Sequence, residues 1–173
     1  MRTRALPRQW AGDFTKAVQQ FRSTVELDPT FPMTHFFFST CLEWFRKYEE
    51  AIAEVQKGEL LAGARPDQVE AEAGEFRKAL QTGGPKGYRQ KNLEMTLKEY
   101  QQAGERGRYS PALDLAGAYA NVGDNEKALE WLEKSYAERD GNLTLVESYP
   151  AFKGLYGDPR FLALLKRMGL PSY

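Results

Sequence analysis

His35 and Cys41 are the only histidine and the only cysteine in the chain, so thiol or imidazole chemistry would have to start from them. Nucleophilic catalysis needs a nucleophile within hydrogen-bond reach of a base, with a third group orienting that base. Six residues apart on one helix, these two side chains point to well-separated sides of it. His35 falls at a packing position and reads as a structural histidine, and Cys41 as a small buried hydrophobe. One His and one Cys cannot complete a four-ligand zinc site, and a lone Cys cannot close an internal disulfide. Neither a metal nor a cofactor is expected. Gly83-Gly84-Pro85-Lys86-Gly87 has the composition of a phosphate cradle but not its order. A P-loop needs Gly-x-x-x-x-Gly-Lys and then Ser or Thr, after a strand. Here Lys86 precedes Gly87, Tyr88 follows, and no strand pattern comes before, so the run reads as a flexible turn between helices. Glu49-Glu50-Glu54 and Glu70-Glu72-Glu75 read as solvated helix faces rather than paired catalytic carboxylates. With no acid–base constellation, the chain is not expected to be an enzyme.

Composition narrows the partners. The chain has 173 residues, with 24 Lys+Arg against 24 Asp+Glu, so no basic field exists to hold a nucleic-acid backbone. Hydrophobic residues make up 42% and charged residues 28%, which suits a folded globular domain and argues against wholesale disorder. No apolar run approaches the roughly 18 residues of a membrane span. Basic residues near Met1 lack the apolar stretch of a secretory signal, and without one the Asn142-Leu143-Thr144 sequon carries no meaning. A cytoplasmic domain, or a cytoplasmic piece of something larger, is expected.

The elements that must position any working surface are helices. Gly12-Asp13-Phe14-Thr15-Lys16-Ala17 and Gly123-Asp124-Asn125-Glu126-Lys127-Ala128 share the pattern Gly-Asp-x-x-Lys-Ala. Phe21 and Leu132 follow the two alanines by four residues, as Val55 follows Ala51, and Ala17 and Ala51 are 34 apart. Each glycine suits the left-handed residue that ends one helix, and each Asp can cap the next. Ala17, Ala51 and Ala128 are small where two helices approach closely. The pattern predicts helices over about 13–27, 32–45, 48–62, 67–81, 88–105, 111–122 and 125–138, a short one near 150–155 and a last one over 159–167. Thr82 to Gly87 is expected to separate two of them as a breaker cluster, and Ser110-Pro111 to open another. No segment alternates like a strand. The expected organisation is one helical domain: an incomplete segment at 1–11, two repeat units over 12–63, a degenerate helical pair over 66–107, a further unit over 110–140 and a cap over 150–170. In the cap, Phe161, Leu164, Leu165 and Met168 share one face and should cover helix 125–138.

With their 34-residue spacing, the units resemble tetratricopeptide repeats (TPR), most closely at Leu115, Ala116 and Tyr119 and at Phe38, Ser39 and Leu42. The order of Glu75–Leu80, Gly83–Tyr88, Tyr109-Ser110-Pro111, Ala128–Tyr136 and Asp158–Pro171 is similar to the C-terminal TPR regions of certain bacterial signalling proteins. There such a region follows a serine/threonine kinase or a winged-helix transcriptional regulator domain; nothing in this chain resembles either. The resemblance implies an all-α right-handed solenoid of antiparallel hairpins, serving as a protein–protein interaction or scaffolding module. TPR domains of the carboxylate-clamp type hold a C-terminal carboxylate with Lys and Asn on inner helices. The matching positions here are Met33, Phe36, Thr40 and Glu43, then Ser110, Leu113, Gly117 and Ala120, so the clamp is not carried over.

Phe31, Phe36, Phe37, Phe38, Trp44 and Phe45 crowd one helix around most of its circumference, more than one core needs. Met33, Phe36, Phe37, Thr40, Glu43, Trp44, Leu113 and Gly117 are therefore the candidate residues for a protein or peptide partner. The rival from a different class is a small-ligand sensor, with an apolar pocket lined by Phe36, Phe37 and Tyr119. An open groove favours the first reading and a closed cavity the second. Phe14, Val18 and Phe21 lie on a helix with only eleven residues before Gly12 to supply a covering partner, and Pro7 limits a helix there. Either Leu6 and Trp10 fold back over that face, or a second copy covers it and the chain is a homodimer.

Overall fold

The left-handed turns fix where these helices begin and end. A computed structural model describes residues 8–105 and 112–170. Over them run α1 (Arg8–Leu27), α2 (Pro32–Trp44) and α3 (Tyr48–Leu61). The helical segment Pro66–Glu105 is broken at Gly84, whose φ of 57° and ψ of −151° are not helical, giving α4 (66–83) and α5 (85–105). Next come α6 (Ala112–Val122), α7 (Asn125–Ala137), two 3₁₀ segments at Gly141–Ser148 and Pro150–Leu155, and α8 (Pro159–Arg167). No strand occurs among the described residues. The protein is all-α, with sequential helix packing: α1 on α2, α2 on α3, α6 on α7 and α7 on α8.

Five of these ends are built alike. A residue with positive φ follows the helix at Arg46, Gly63, Gly123, Arg139 and Gly169. In each case its N–H and the next N–H reach back to the last turn. Gly123 donates to the Ala120 carbonyl and Asp124 to that of Tyr119, both at 3.0 Å; Arg46 donates to Glu43 at 2.9 Å and Lys47 to Leu42 at 2.8 Å. This is the paired-bond cap that satisfies terminal carbonyls, and it prefers glycine because a Cβ crowds the left-handed region. Arg46 occupies in the α2–α3 hairpin the place of Gly123 in the α6–α7 hairpin. Asp124 caps α7 by accepting from the Lys127 N–H at 3.2 Å, as the Gly-Asp pattern predicts. Asp158 opens α8 by accepting from the Arg160 N–H at 2.8 Å.

Three expectations are corrected. Gly12-Asp13 does not divide helices: α1 runs through it from Arg8. A glycine in a helix costs only about 1 kcal/mol relative to alanine, and the flanking Gln9, Trp10, Ala11 and Lys16, Ala17 sustain the helix. The breaker cluster at Thr82–Gly87 shrinks to the single residue Gly84, because Pro85 is tolerated as the first residue of the helix that follows. The stretch Gly141–Ser148 forms a 3₁₀ segment that no sequence pattern announced, opened by Asp140, whose side chain accepts from the Asn142 N–H at 2.9 Å. Ser110-Pro111 and Pro171 lie outside the described residues.

The chain divides into two compact units, 1–85 and 86–173. The helical pair expected over 66–107 is therefore split, with α4 in the first and α5 in the second. In the first unit Val18 of α1, Phe38 and Leu42 of α2 and Ala51 of α3 form the core, with Phe21 and Cys41 against it. Phe21 stacks on Phe38 with ring centroids 5.4 Å apart. Ala51 is fully buried, as a small residue at a helix crossing should be. At Gly58 of α3 an added Cβ would stand 2.8 Å from Phe36 Cε1, so the glycine admits the ring. Arg77 of α4 donates to Gln56 of α3 at 2.7 Å.

In the second unit the core joins α6 (Leu113, Leu115, Ala116) to α7 (Ala128, Leu129, Leu132), the 3₁₀ segments (Val146, Phe152, Leu155) and α8 (Phe161, Leu164, Leu165). The α8 residues lie on the face expected to cover α7, with Met168 packed at its edge. Arg160 donates to both carboxylate oxygens of Glu126 on α7 at 2.6 and 2.7 Å, and Arg167 pairs with Glu133 on the same helix.

Candidate functional site

Three helices of the first unit enclose an open groove of about 360 Å³. Its floor is Phe38 and Leu42 of α2. One wall is Arg22, Val25 and Glu26 of α1; the other is Glu50, Ala53, Glu54 and Lys57 of α3. The sequence forms it simply. α2 carries its large apolar residues 38 and 42 one turn apart, and α1 and α3 lie to either side, with small Ala53 leaving room above them.

Glu54 is the charged group built most firmly into the groove. It is buried, and its Oε2 lies 2.7 Å from Nδ1 of buried His35 on α2, while Oε1 accepts from Lys57 Nζ at 2.7 Å. His35 Nε2 faces the Pro29 carbonyl oxygen at 3.3 Å, so both ring nitrogens have oxygen partners. Burial by itself would raise the Glu54 pKa; the hydrogen bonds from Lys57 and His35, with their charges, outweigh it and hold the carboxyl below its ordinary value. His35 is thus a buried, hydrogen-bonded residue, as the sequence suggests. Glu54 corrects the reading of 49–54 as a solvated acidic face: Glu49 and Glu50 are exposed, but Glu54 turns inward. His35 on α2 and Glu54 on α3 meet across the hairpin that turns at 45–47, ten residues before it and seven after it, so counting outward from the turn would have paired His35 with Lys57 instead. Burial raises the Cys41 pKa, as a half-buried thiol packed against the core should show.

The sequence-derived partner residues do not form one surface. Met33 is 42% exposed and Phe37 54%, on the outer side of α2. Thr40 is exposed there too, its hydroxyl donating to the Phe36 carbonyl at 3.1 Å. Phe36 is half-buried against Gly58, and Glu43 and Trp44 are half-buried. Leu113 and Gly117 belong elsewhere: both are buried in the second unit, because α6 is enclosed by its neighbours, and neither is offered to a partner. Tyr119, placed by the sequence in a ligand pocket with Phe36 and Phe37, lies in that same core. The expected self-association face is corrected likewise. Val18 is buried in the first unit's core and Phe21 stacks on Phe38, since α2 covers the face that seemed open. The side chain of Phe14, with Leu6 and Trp10, lies outside what the structure describes.

A second cluster of titratable groups sits in the other unit. Asp140 is buried and accepts from Ser135 Oγ at 3.1 Å. Asp114, though exposed over much of its surface, has its pKa pushed up to about 6, first by desolvation of the carboxyl and then by the Asp140 carboxylate. The Tyr149 hydroxyl is raised by burial and by both aspartates. Among the described residues no three His, Cys, Asp or Glu side chains converge as a metal site, and no helix is long and apolar enough to cross a membrane. No protein-family model, curated protein or solved structure matches the chain.

Proposed function

We propose that the chain is a non-catalytic protein–protein interaction module: TPR-like hairpins stacked as a solenoid, serving a bacterial signalling or transcriptional regulatory protein as a scaffold. The observation that carries this reading is the open groove between α1 and α3, floored by Phe38 and Leu42. A groove walled by two helices and floored by apolar side chains suits an extended or helical peptide, with Arg22, Glu26, Glu50 and Lys57 along its rim for polar contacts. Recognition would then combine apolar contact at the floor with the charged side chains of the rim. The small-ligand reading calls for an enclosed cavity, and this groove is open.

A peptide library displayed on phage and panned against the full chain tests the proposal. Enriched peptides should bind by calorimetry, and Ala53→Trp, which fills the groove, should abolish that binding while leaving the helical circular dichroism unchanged. Peptides that bind both proteins equally, or no enrichment, would refute it.

A further inference from the structure

Of the charged residues that line the groove over Phe38 and Leu42, Glu54 alone is buried; Arg22, Glu26, Glu50 and Lys57 are exposed. Two hydrogen bonds of different kinds hold its carboxylate. His35, buried and bonded at both ring nitrogens, fixes Oε2 from α2 at 2.7 Å. Lys57 reaches Oε1 at 2.7 Å from three residues along α3, and its side chain is 57% exposed. An ion pair one turn apart with an exposed lysine adds little stability and breaks readily. Burial alone would raise the Glu54 pKa, but the bonds from Lys57 and His35 hold it below its ordinary value, so the carboxylate is charged at neutral pH. A ligand lying on Phe38 and Leu42 covers this carboxylate as well. A wholly apolar ligand would strip its remaining water and leave lone pairs unmet, which is costly for an ion. His35 and Lys57 use two of the roughly four lone-pair positions of a carboxylate, so a further donor can be accommodated. A long basic side chain meets both demands, with its methylenes on the apolar floor and its charged head on Glu54.

We propose that the groove selects peptides carrying a lysine or arginine, whose side chain pairs with Glu54 in place of Lys57. The inference rests on the reading of the groove as a peptide site and names what the peptide must carry. Lys57 is then a stand-in that keeps the carboxylate paired until a peptide arrives and turns out to solvent when it does. His35 keeps the carboxylate in position in both states, so it is a positioning residue rather than a contact. The opposite polarity, an acidic peptide held by Arg22 and Lys57, would take Lys57 from a buried carboxylate and leave Glu54 without its cation.

Peptides enriched by phage panning on the full chain are the probes, with affinities measured by calorimetry at neutral pH. They should share a Lys or Arg whose replacement by norleucine weakens binding by about 30-fold, as expected for the loss of one hydrogen bond to a charged group. Glu54→Gln, which keeps an acceptor for His35, should weaken the same peptides by a similar factor. Lys57→Ala, at an exposed position, should tighten them by about two- to fivefold, because it removes the internal competitor. If Glu54→Gln loses its helical circular dichroism, the norleucine peptides and Lys57→Ala decide the matter. Ala53→Trp separates this inference from the reading beneath it. Peptides that Ala53→Trp releases, yet that tolerate norleucine, bind folded Glu54→Gln as tightly as wild type or bind Lys57→Ala more weakly, overturn the basic anchor and leave the groove as a peptide site. Peptides indifferent to Ala53→Trp, or no enriched peptide, overturn both.

Discussion

Replacing Arg46 by glycine should make the first unit more stable, although it deletes a whole side chain. Arg46 holds φ at 62° to close α2, and its N–H and that of Lys47 complete the cap to Glu43 and Leu42. A left-handed residue with a Cβ costs roughly 1–2 kcal/mol in backbone strain. Glycine removes that strain but enlarges the conformational freedom of the unfolded chain, at a cost of about 0.5–1 kcal/mol. The net gain is then about 0.5–1 kcal/mol, or a few degrees in Tm for a unit of this size. Arg46→Ala is the control. It deletes the same charge and keeps the Cβ, so it should gain nothing. Urea denaturation followed by circular dichroism and tryptophan fluorescence would resolve the change, Trp10 and Trp44 belonging to the first unit and Trp131 to the second. A lower midpoint for Arg46→Gly, or an alanine variant that gains as much, would refute the strain argument. Arg139, with φ of 55° at the end of α7, should respond in the same way in the second unit.

Two further outcomes follow from the second unit. Ala128→Leu should cost about 1–3 kcal/mol by overpacking a fully buried crossing of α6 and α7, and an unchanged urea midpoint would mean that the crossing yields easily. For Asp114, the folded pKa of about 6 lies above the ordinary 3.8, so the native state holds the extra proton between those values and stability falls as pH rises across that window. Asp114→Asn should flatten this slope and stabilise the protein at pH 7 by about 1 kcal/mol, reduced from the full linkage value because the residue is partly exposed. Thermal unfolding from pH 4 to pH 7 measures it, and an identical slope in the variant would show that other groups set it.

What could be read in the sequence depended on whether a signal was local. Gly123-Asp124 announced a helix end and the next cap together, because the left-handed φ and the side-chain acceptor each belong to a characteristic residue. The same pair at Gly12-Asp13 misled, since a helix can absorb a glycine when its neighbours favour the helix. Arg46 and Arg139 were invisible for the converse reason: they occupy a glycine position without being glycine, Arg46 between α2 and α3 and Arg139 between α7 and the 3₁₀ segment that follows it. The extent of α2, α3, α7 and α8 could be read from caps and periodicity. The 3₁₀ segment at Gly141–Ser148 could not, because its residues are fixed by burying Leu143 and Val146 against other elements. Glu54 stands between these cases. A hairpin turn at 45–47 announces that α2 and α3 pair, but the contact of Glu54 with His35 depends on a packing register that the turn alone does not set.

The aromatic surplus of α2 resolves into three directions once the neighbours of that helix are in place. Phe38 and Leu42 point to the groove floor and to Val18 and Phe21 on α1. Phe36 points to Gly58 on α3, where the missing Cβ makes its space. Those two sides account for the packing needs of a helix between two others. Met33 and Phe37 lie on the remaining side and keep 42% and 54% of their surface exposed. A helix apolar all round is ordinarily enclosed on all sides. One that is enclosed on two sides and carries exposed aromatic and sulfur side chains on the third, with no charge among them, has a surface that internal packing does not explain. The surplus is thus confined to the one side of α2 that α1 and α3 leave uncovered, away from Phe38 and Leu42, the residues that floor the groove.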